Sequence, residues 1–310
     1  MSELVERKGN RVVKLTSAER VLWPDDGITK GDLFEYYRAV SDWIVPHLRD
    51  RPFTMKRYPH GIEGEVFFQK QAPKHLPSWI PTRQFRTWPR GGKGASRLVD
   101  FALVNSVEAV LFMVQNNCID MNAWYSRVDK PHRPDFVLFD LDPPDQADGF
   151  ELAIEVAHLI RELLEEVELP GYVKTSGADG IHVVAPITRR STFEQTYDFA
   201  ERASRLLERR HPGKVTTEWL KKKRRGVLVD HRQNGWGKTI ASVYSVRPKP
   251  GAPVSTPLRW EELTPSVRPR DFTMSVALER IEQHGDLFAA VLEESRPLAP
   301  AARRLDALYD

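Results

Sequence analysis

The chain has 310 residues, of which 41% are hydrophobic, enough for one large two-lobed domain or two compact ones. Lys and Arg number 46 against 43 acidic residues, so the net charge of +3 says little about partners. The single cysteine, Cys118, excludes an intrachain disulfide and a zinc site built on several cysteines. The sequence opens without an apolar signal region and holds no apolar run of about 18 residues, so we expect a cytoplasmic protein.

The first part of the chain, residues 1–133, is predicted to form a mixed α/β lobe. The sequence TKGD at residues 29–32 resembles a capping box, which marks the start of a helix. Apolar residues at helical spacing from Leu33 to Leu48 indicate that this helix continues for several turns. A second helix is predicted over about 104–117.

From residue 134 onward the predicted elements follow a defined order. They are a strand over 134–143, a helix over 150–168, strands over 171–175 and 181–187, a helix over 191–210 and a strand over 226–232. Ser191 and Glu194 form a capping box at the start of the second helix. The order β-α-β-β-α-β is that of the ferredoxin-like fold, which RNA-recognition modules share.

After residue 247 the chain is rich in proline and then helical over about 275–295. We interpret this segment as an extension that packs back on the core. We therefore expect an α+β fold in one domain, with an N-terminal mixed lobe at 1–133, a ferredoxin-like catalytic lobe at 134–247 and a C-terminal extension at 248–310.

Two aspartates, Asp140 and Asp142, end the apolar run FVLFDLD. Alternate residues of a strand share a face, so these carboxylates repel each other unless a cation lies between them. In the usual 4-1-3-2 strand order, Asp230 and His182 would approach them from opposite sides. Three oxygen ligands suit Mg²⁺ or Mn²⁺, and two such ions about 3.5–4 Å apart support phosphoryl transfer. Ion pairing with Arg or Lys, or loop capping, is the alternative role for these aspartates.

An RNA-recognition module is a rival interpretation of the same sheet, because such modules stack bases on aromatic residues of their central strands. The corresponding face here carries Asp140 and Asp142. Without metals these carboxylates would repel a phosphate backbone, which disfavours a sheet that only binds nucleic acid.

Several glycine-rich and basic segments are candidates for binding phosphate. The turn TSGADGIH at 175–182 places glycines between two strands, where backbone N–H groups can bind an anion, and ends on His182. Lys238 and Arg247 are candidate ligands for a triphosphate. The basic run at 221–225 favours binding to a polyanion. Each feature also has an ordinary structural interpretation, as a hairpin turn, a surface cation or a solvated loop.

Four motifs together resemble the polymerase domain of bacterial LigD, a primase-polymerase of the archaeo-eukaryotic primase superfamily. They are FDLDP at 139–143, TSGxxGxH at 175–182, VDxxQN at 229–234 and KT-IA-YS-R from 238 to 247. The resemblance extends from about residue 12 to about residue 295. It implies a primase-polymerase fold and a template-directed DNA repair polymerase that adds NTPs or dNTPs to a primer 3′-hydroxyl at short gaps or double-strand-break ends.

The resemblance also implies roles for individual residues. Asp140, Asp142 and Asp230 would be the catalytic residues that bind two Mn²⁺ or Mg²⁺ ions. The residues that would hold the incoming nucleotide are Lys56, Ser176, His182, Lys238 and Arg247. Arg20 and Lys30 would bind the 5′-phosphate at the far edge of a gap, and a helix N-terminus at Lys30 favours an anion. Phe67 and Phe68 would stack on template bases, with core packing as the alternative.

The chain departs from the family where many members have a histidine shortly before a tryptophan, because Asp120 and Asn122 precede Trp124 here. No Lys-x-Asp-Gly ligase motif is present, so we expect an excised polymerase domain or a stand-alone relative. The expected partners are gapped or broken double-stranded DNA with a 5′-phosphate, nucleoside triphosphates, and end-joining or excision-repair proteins, with the chain a monomer. Primer synthesis, nuclease activity with the same carboxylates and a non-catalytic adaptor role remain as alternatives.

Overall fold

The structure is a computed structural model that describes residues 4–88 and 95–309. The strands, in chain order, are β1 (Val5–Lys8), β2 (Arg11–Lys14), β3 (Val21–Trp23), β4 (Ile28–Thr29), β5 (Phe53–Arg57), β6 (Phe67–Gln69), β7 (Thr82–Thr87), β8 (Arg97–Ala102), β9 (Cys118–Trp124), β10 (Phe136–Asp142), β11 (Tyr172–Thr175), β12 (Ile181–Pro186), β13 (Val215–Thr216), β14 (Val227–Val229), β15 (Thr239–Ala241) and β16 (Pro257–Leu258). The α-helices are α1 (Lys30–Leu48), α2 (Val107–Gln115), α3 (Gly149–Glu166), α4 (Phe193–Arg210), α5 (Met274–His284), α6 (Ala290–Glu293) and α7 (Leu298–Ala307). None of the helices in these two described ranges is long and apolar enough to span a bilayer.

The chain divides into two compact units. Unit 1 holds the described residues up to Asp129 together with Thr239–Ala252, and unit 2 holds Lys130–Lys238 together with the described residues from Pro253 onward. The segment 239–247, grouped with the catalytic lobe in the sequence analysis, belongs to unit 1 because β15 pairs with β9.

Unit 1 contains an antiparallel sheet in the order β15-β9-β5-β6 and the antiparallel pairs β1–β2, β3–β4 and β7–β8. The predicted capping box of α1 is confirmed. Thr29 Oγ1 accepts a hydrogen bond from the Asp32 N–H at 3.1 Å, and Asp32 Oδ2 accepts one from the Thr29 N–H at 2.8 Å. The second helix, α2, was predicted over about 104–117; it spans Val107–Gln115, and Ser106 caps its N-terminus.

Unit 2 contains a six-stranded sheet in the order β13-β14-β10-β12-β11-β16. Its four central strands follow the predicted β-α-β-β-α-β sequence and the predicted 4-1-3-2 order, with β10 between β14 and β12. Val137, Phe139 and Leu141 of β10 are buried in the core formed with α3 and α4. The alternate residues Asp140 and Asp142 therefore lie on the opposite face of the sheet.

The capping box of α4 lies one residue later than predicted. Thr192, rather than Ser191, caps the helix, and its Oγ1 accepts from the Gln195 N–H at 3.3 Å while Gln195 Oε1 accepts from the Thr192 N–H at 2.9 Å. This start makes Phe193 the first helical residue, where its side chain is buried.

Two other predicted elements end earlier than expected. The last strand stops at Val229 rather than 232, because Asp230 caps a 3₁₀ turn and its Oδ1 accepts from the Arg232 N–H at 3.0 Å. The predicted helix over 275–295 is interrupted because Gly285, at φ +67°, ends α5. The short helix α6 follows after this break.

Candidate active site

Three carboxylates share one face of the unit 2 sheet. Asp140 and Asp142 alternate with buried Leu141 along β10. Asp230 directly follows β14, and its backbone N–H donates to the Asp140 carbonyl at 2.8 Å. Residues directly opposite each other on paired strands carry neighbouring side chains, so Asp230 lies beside Asp140. The pairing predicted from strand order is therefore present.

The electrostatics of this face oppose full ionisation of the carboxylates. Burial raises the pKa of Asp142 to about 7, the charges of Asp140, Asp230 and Asp179 add to the rise, and Arg224 opposes it. Burial also raises the pKa of Asp230, and the charge of Asp140 raises it further. Negative charge concentrated in this way is relieved by a bound cation.

The donor atoms of this face fit a hard divalent cation. Carboxylate oxygens at the ends of β10 and β14 are ligands that Mg²⁺ and Mn²⁺ accept, whereas a thiolate or multi-histidine site would suit softer metals. Within residues 4–88 and 95–309, no three Asp, Glu, His or Cys side chains are arranged as a ready-made ligand set. The ions fit this face because Asp140, Asp142 and Asp230 supply oxygen donors and lie on the same side of the sheet.

His182 continues the row of polar residues across the sheet. It pairs with Asp140 on one side and with Lys174 on the other in the strand register. His182 Nε2 lies 3.2 Å from Asp140 Oδ1, and Lys174 Nζ lies 2.8 Å from His182 Nδ1 and donates to Ser255 Oγ at 2.5 Å. Because an ammonium group can only donate, we infer that Nδ1 accepts and that the ring proton is on Nε2, facing Asp140.

The predicted glycine-rich turn joins β11 to β12. Ser176 Oγ accepts from the N–H groups of Ala178 at 3.1 Å and Gly180 at 3.0 Å, so it organises the turn itself. A Cβ on Gly180 would lie 2.2 Å from the carbonyl oxygen of Leu141, so only glycine fits against the carboxylate strand. Lys238, also predicted as a nucleotide ligand, is exposed and its charge opposes the raised pKa of Asp230. The nucleotide-binding roles of these residues stay predictions.

In unit 1, Lys56 and Arg247 converge on Asp120. Lys56 Nζ donates to Asp120 Oδ2 at 2.7 Å, and Arg247 Nε lies 3.4 Å from the same oxygen. Burial would raise the pKa of Asp120, but the charges of Arg247 and Lys56 outweigh it and hold the pKa below its usual range. Asp120 thus joins two of the predicted nucleotide ligands, Lys56 and Arg247.

Arg20 and Lys30, the predicted 5′-phosphate ligands, are electrostatic neighbours with different exposure. Arg20 is exposed and donates to the Pro59 carbonyl at 3.1 Å. Lys30 is 2% exposed, and its Nζ donates to the carbonyls of Thr16 at 3.2 Å and Gln115 at 2.8 Å and to Gln115 Oε1 at 3.2 Å. Burial and then the charge of Arg20 lower the pKa of Lys30 to about 8. Their phosphate-binding role stays a prediction.

Phe67 and Phe68 of β6 are on the surface of unit 1. Their exposed fractions are 43% and 61%, so the alternative of core packing does not apply to them. Lys56 Nζ lies 5.5 Å from the centroid of the Phe68 ring, within cation–π range. Exposed aromatic rings beside a cation are suited to base stacking.

Comparison with known proteins identifies the family. A family model described as "LigD, primase-polymerase domain" matches residues 29–288. The chain belongs to the LigD primase-polymerase domain family. This membership confirms the resemblance inferred from the motifs, the predicted α+β primase-polymerase fold, and the predicted enzyme class, a nucleotidyltransferase of the polymerase type.

Individual LigD proteins match most of the chain. The multifunctional non-homologous end joining protein LigD of Mycolicibacterium smegmatis is 31% identical over 292 residues, 93% of this chain and 37% of that protein. The bifunctional LigD of Bacillus subtilis is 30% identical over 275 residues, 88% of this chain and 43% of that protein. The chain thus spans about two fifths of these relatives.

A solved LigD structure matches the fold. The polymerase domain from Mycobacterium tuberculosis ligase D in complex with DNA superimposes with a TM-score of 0.83 at 29% identity. The match covers 92% of this chain and 100% of that one.

Two residues that lie near the predicted site residues were not singled out from the sequence. Lys174 lies within a short, mostly buried strand, where a lysine is unusual, but only the strand register places it beside His182. Arg224 was noted only as part of the basic run, yet its charge acts on Asp142. A lone buried lysine next to a predicted site is the signal that would have pointed to Lys174.

Proposed function

We propose that this domain is a template-directed DNA repair polymerase that adds NTPs or dNTPs to a primer 3′-hydroxyl at short gaps or double-strand-break ends. The observation that carries the proposal is the placement of Asp140, Asp142 and Asp230 on one face of the sheet. The similar LigD proteins are named for non-homologous end joining and the matched structure is a complex with DNA, which supports a DNA substrate.

The shared face of the three aspartates supports the roles proposed for them. Asp140 and Asp142 would hold two divalent ions, Mn²⁺ or Mg²⁺, and Asp230 would complete the ion on the primer side. Ions held there would supply the charge that activates a primer hydroxyl and offsets the charge of a leaving pyrophosphate. His182, held by Lys174, orients the Asp140 carboxylate.

The remaining roles rest on the family resemblance. The residues proposed to bind the incoming nucleotide are Lys56, Ser176, His182, Lys238 and Arg247. Arg20 and Lys30 are proposed to bind the downstream 5′-phosphate, and the exposed Phe67 and Phe68 to stack on the template. A monomer located in the cytoplasm, and contact with end-joining or excision-repair proteins, are part of the same proposal.

Primer extension tests the central claim. The substrate is a gapped duplex with a downstream 5′-phosphate, supplied with Mn²⁺ or Mg²⁺ and either NTPs or dNTPs. Wild type should lengthen the primer and Asp142→Ala should not, whereas Asp145→Ala, which removes the same charge from a side chain that is 87% exposed, should extend normally. Extension by Asp142→Ala would overturn the metal-site proposal. A shortened primer would favour the nuclease, and products without a primer would favour primer synthesis.

A binding experiment separates the 5′-phosphate role from catalysis. Affinity for the gapped duplex is compared with and without the 5′-phosphate, for wild type and Arg20→Ala. The phosphate should strengthen binding by wild type about tenfold, since a charge-assisted contact contributes roughly this much, and the gain should shrink in Arg20→Ala. Equal affinity for both duplexes would show that Arg20 and Lys30 have another role.

A further inference from the structure

Unit 2 contains a basic groove that lies apart from the carboxylates. A cavity of about 450 Å³ is lined by Lys130, Pro131, His132, Arg133, Arg189 and Arg190. Its two segments meet at the far end of the β10–β12 ladder, where Phe136 pairs with Pro186 and the Ile187 N–H donates to the Asp135 carbonyl at 2.8 Å. Asp140 is four residues further along β10, roughly 13 Å at the rise of a strand.

The groove carries a net positive charge. Lys130, Arg133, Arg189 and Arg190 line it, and Arg133 donates to the Arg190 carbonyl at 2.6 Å, which ties the two segments together. Two carboxylates oppose these charges. Asp135 Oδ1 lies 3.0 Å from Arg189 Nε, and Glu194 is within electrostatic range of His132 and Arg133. Four cations against two carboxylates favour a polyanion.

The groove also presents a flat aromatic surface. The His132 ring stacks on the Trp236 ring, with 5.5 Å between centroids and 18° between planes. Trp236 Nε1 donates to the Pro131 carbonyl at 3.1 Å, which fixes the indole against the groove. His132 is exposed, so its ring is available for stacking on a base. Cations that hold phosphates beside a stacked aromatic pair are the combination that binds single strands.

We propose that this groove is a binding site for single-stranded nucleic acid, with the backbone phosphates on its Arg and Lys side chains and one base on His132. A duplex would not use the stacking surface in this way because its bases are already stacked and paired. The resemblance to known polymerases assigned no role to any residue that lines the groove. The site goes beyond the proposed nucleotidyl transfer, since binding there needs no metal, triphosphate or 5′-phosphate.

Fluorescence anisotropy with a fluorescein-labelled twelve-nucleotide oligothymidylate tests the proposal. The oligonucleotide lacks a 5′-phosphate and the buffer contains EDTA, so neither the carboxylate site nor the proposed 5′-phosphate site contributes. Arg133→Ala/Arg190→Ala should weaken binding about tenfold and reduce the slope of log K against log salt by about 1.4, the value for two lost phosphate contacts on a single strand. The matched control is Arg270→Ala/Arg303→Ala, which removes the same charge from two exposed positions elsewhere in unit 2.

The stacking surface is tested separately with His132→Ala. This substitution should weaken binding of the single strand about fivefold or more, as expected for one lost stacking contact. The affinity for a blunt duplex should stay unchanged. Because the side chain is exposed, the fold is preserved, and circular dichroism of every variant verifies this.

Three results would overturn the proposal. The first is that Arg133→Ala/Arg190→Ala binds the oligonucleotide as tightly as wild type. The second is that Arg270→Ala/Arg303→Ala loses as much affinity for the oligonucleotide as the groove variant does. The third is that the groove variant loses as much affinity for a blunt duplex as for the single strand. Asp142→Ala should still bind the oligonucleotide with wild-type affinity. Failure of the groove and failure of the proposed polymerase activity are therefore distinguishable.

Discussion

At the scale of single residues, the buried Asp120 has the clearest energetic consequence. Its carboxylate is fully buried and is contacted by Lys56 and Arg247. Asp120→Ala should lower the free energy of unfolding by about 3 kcal/mol or more, because it leaves two partly buried cations without their counter-charge. Equilibrium urea unfolding measures this. Asp145→Ala, which breaks an exposed pair with Lys221, should cost at most about 1 kcal/mol, and equal losses would contradict the prediction.

A second residue-scale prediction concerns pH. Burial lowers the pKa of Lys30 from 10.5 to about 8, so between these values the unfolded chain binds more protons than the folded protein. The free energy of unfolding of wild type should therefore rise with pH over this window, relative to Lys30→Met, in which the titrating group is gone. Urea unfolding at pH 7.5, 9 and 10.5 gives the slope of the free energy of unfolding against pH for wild type and for Lys30→Met. Parallel slopes would show that Lys30 titrates normally in the fold.

At the scale of elements, three strands cooperate to orient one carboxylate. β11, β12 and β10 bring Lys174, His182 and Asp140 into register. Lys174→Met should keep the fold and lower the rate of nucleotide addition about tenfold, because His182 loses the partner that sets its ring orientation. The KM for DNA should not change. In a His182→Ala background the same substitution should have no further effect, and an additive loss would show that Lys174 acts independently.

At the scale of the whole molecule, we expect charge repulsion at the carboxylate face to lower the stability of the metal-free protein. Burial and neighbouring negative charges disfavour ionised Asp142. Asp142→Asn should therefore raise the melting temperature of the metal-free protein at pH 8. Mn²⁺ at about 100 times its Kd should stabilise wild type by about 2.7 kcal/mol and leave Asp142→Asn nearly unchanged. Calorimetry measures the melting temperature of each protein without metal and its increase with Mn²⁺. Equal stabilisation of wild type and Asp142→Asn by Mn²⁺ would exclude Asp142 as a ligand.

Much of the fold could be predicted from local pattern. Alternation along FVLFDLD put Asp140 and Asp142 on one face, the TKGD capping box located the start of α1, and the order of elements indicated a ferredoxin-like sheet. These features depend on residues within a few positions of one another, and the physics that sets them is local. The shift of the α4 cap to Thr192 shows the limit, since Ser191 and Thr192 are adjacent hydroxyl residues and each is followed three positions later by a possible capping-box partner, Glu194 or Gln195.

The sequence by itself determined the family, the fold class and the shared face of Asp140 and Asp142, because short motifs and strand periodicity are readable along the chain. Only the tertiary structure decided that Lys174 holds His182, that Asp120 joins Lys56 to Arg247, and that Lys30 is buried among carbonyl oxygens. It also brought Arg133 and Arg190 together in one groove. Each of these contacts joins residues from different elements, and strand register and side-chain burial, which local pattern does not specify, determine which of them meet.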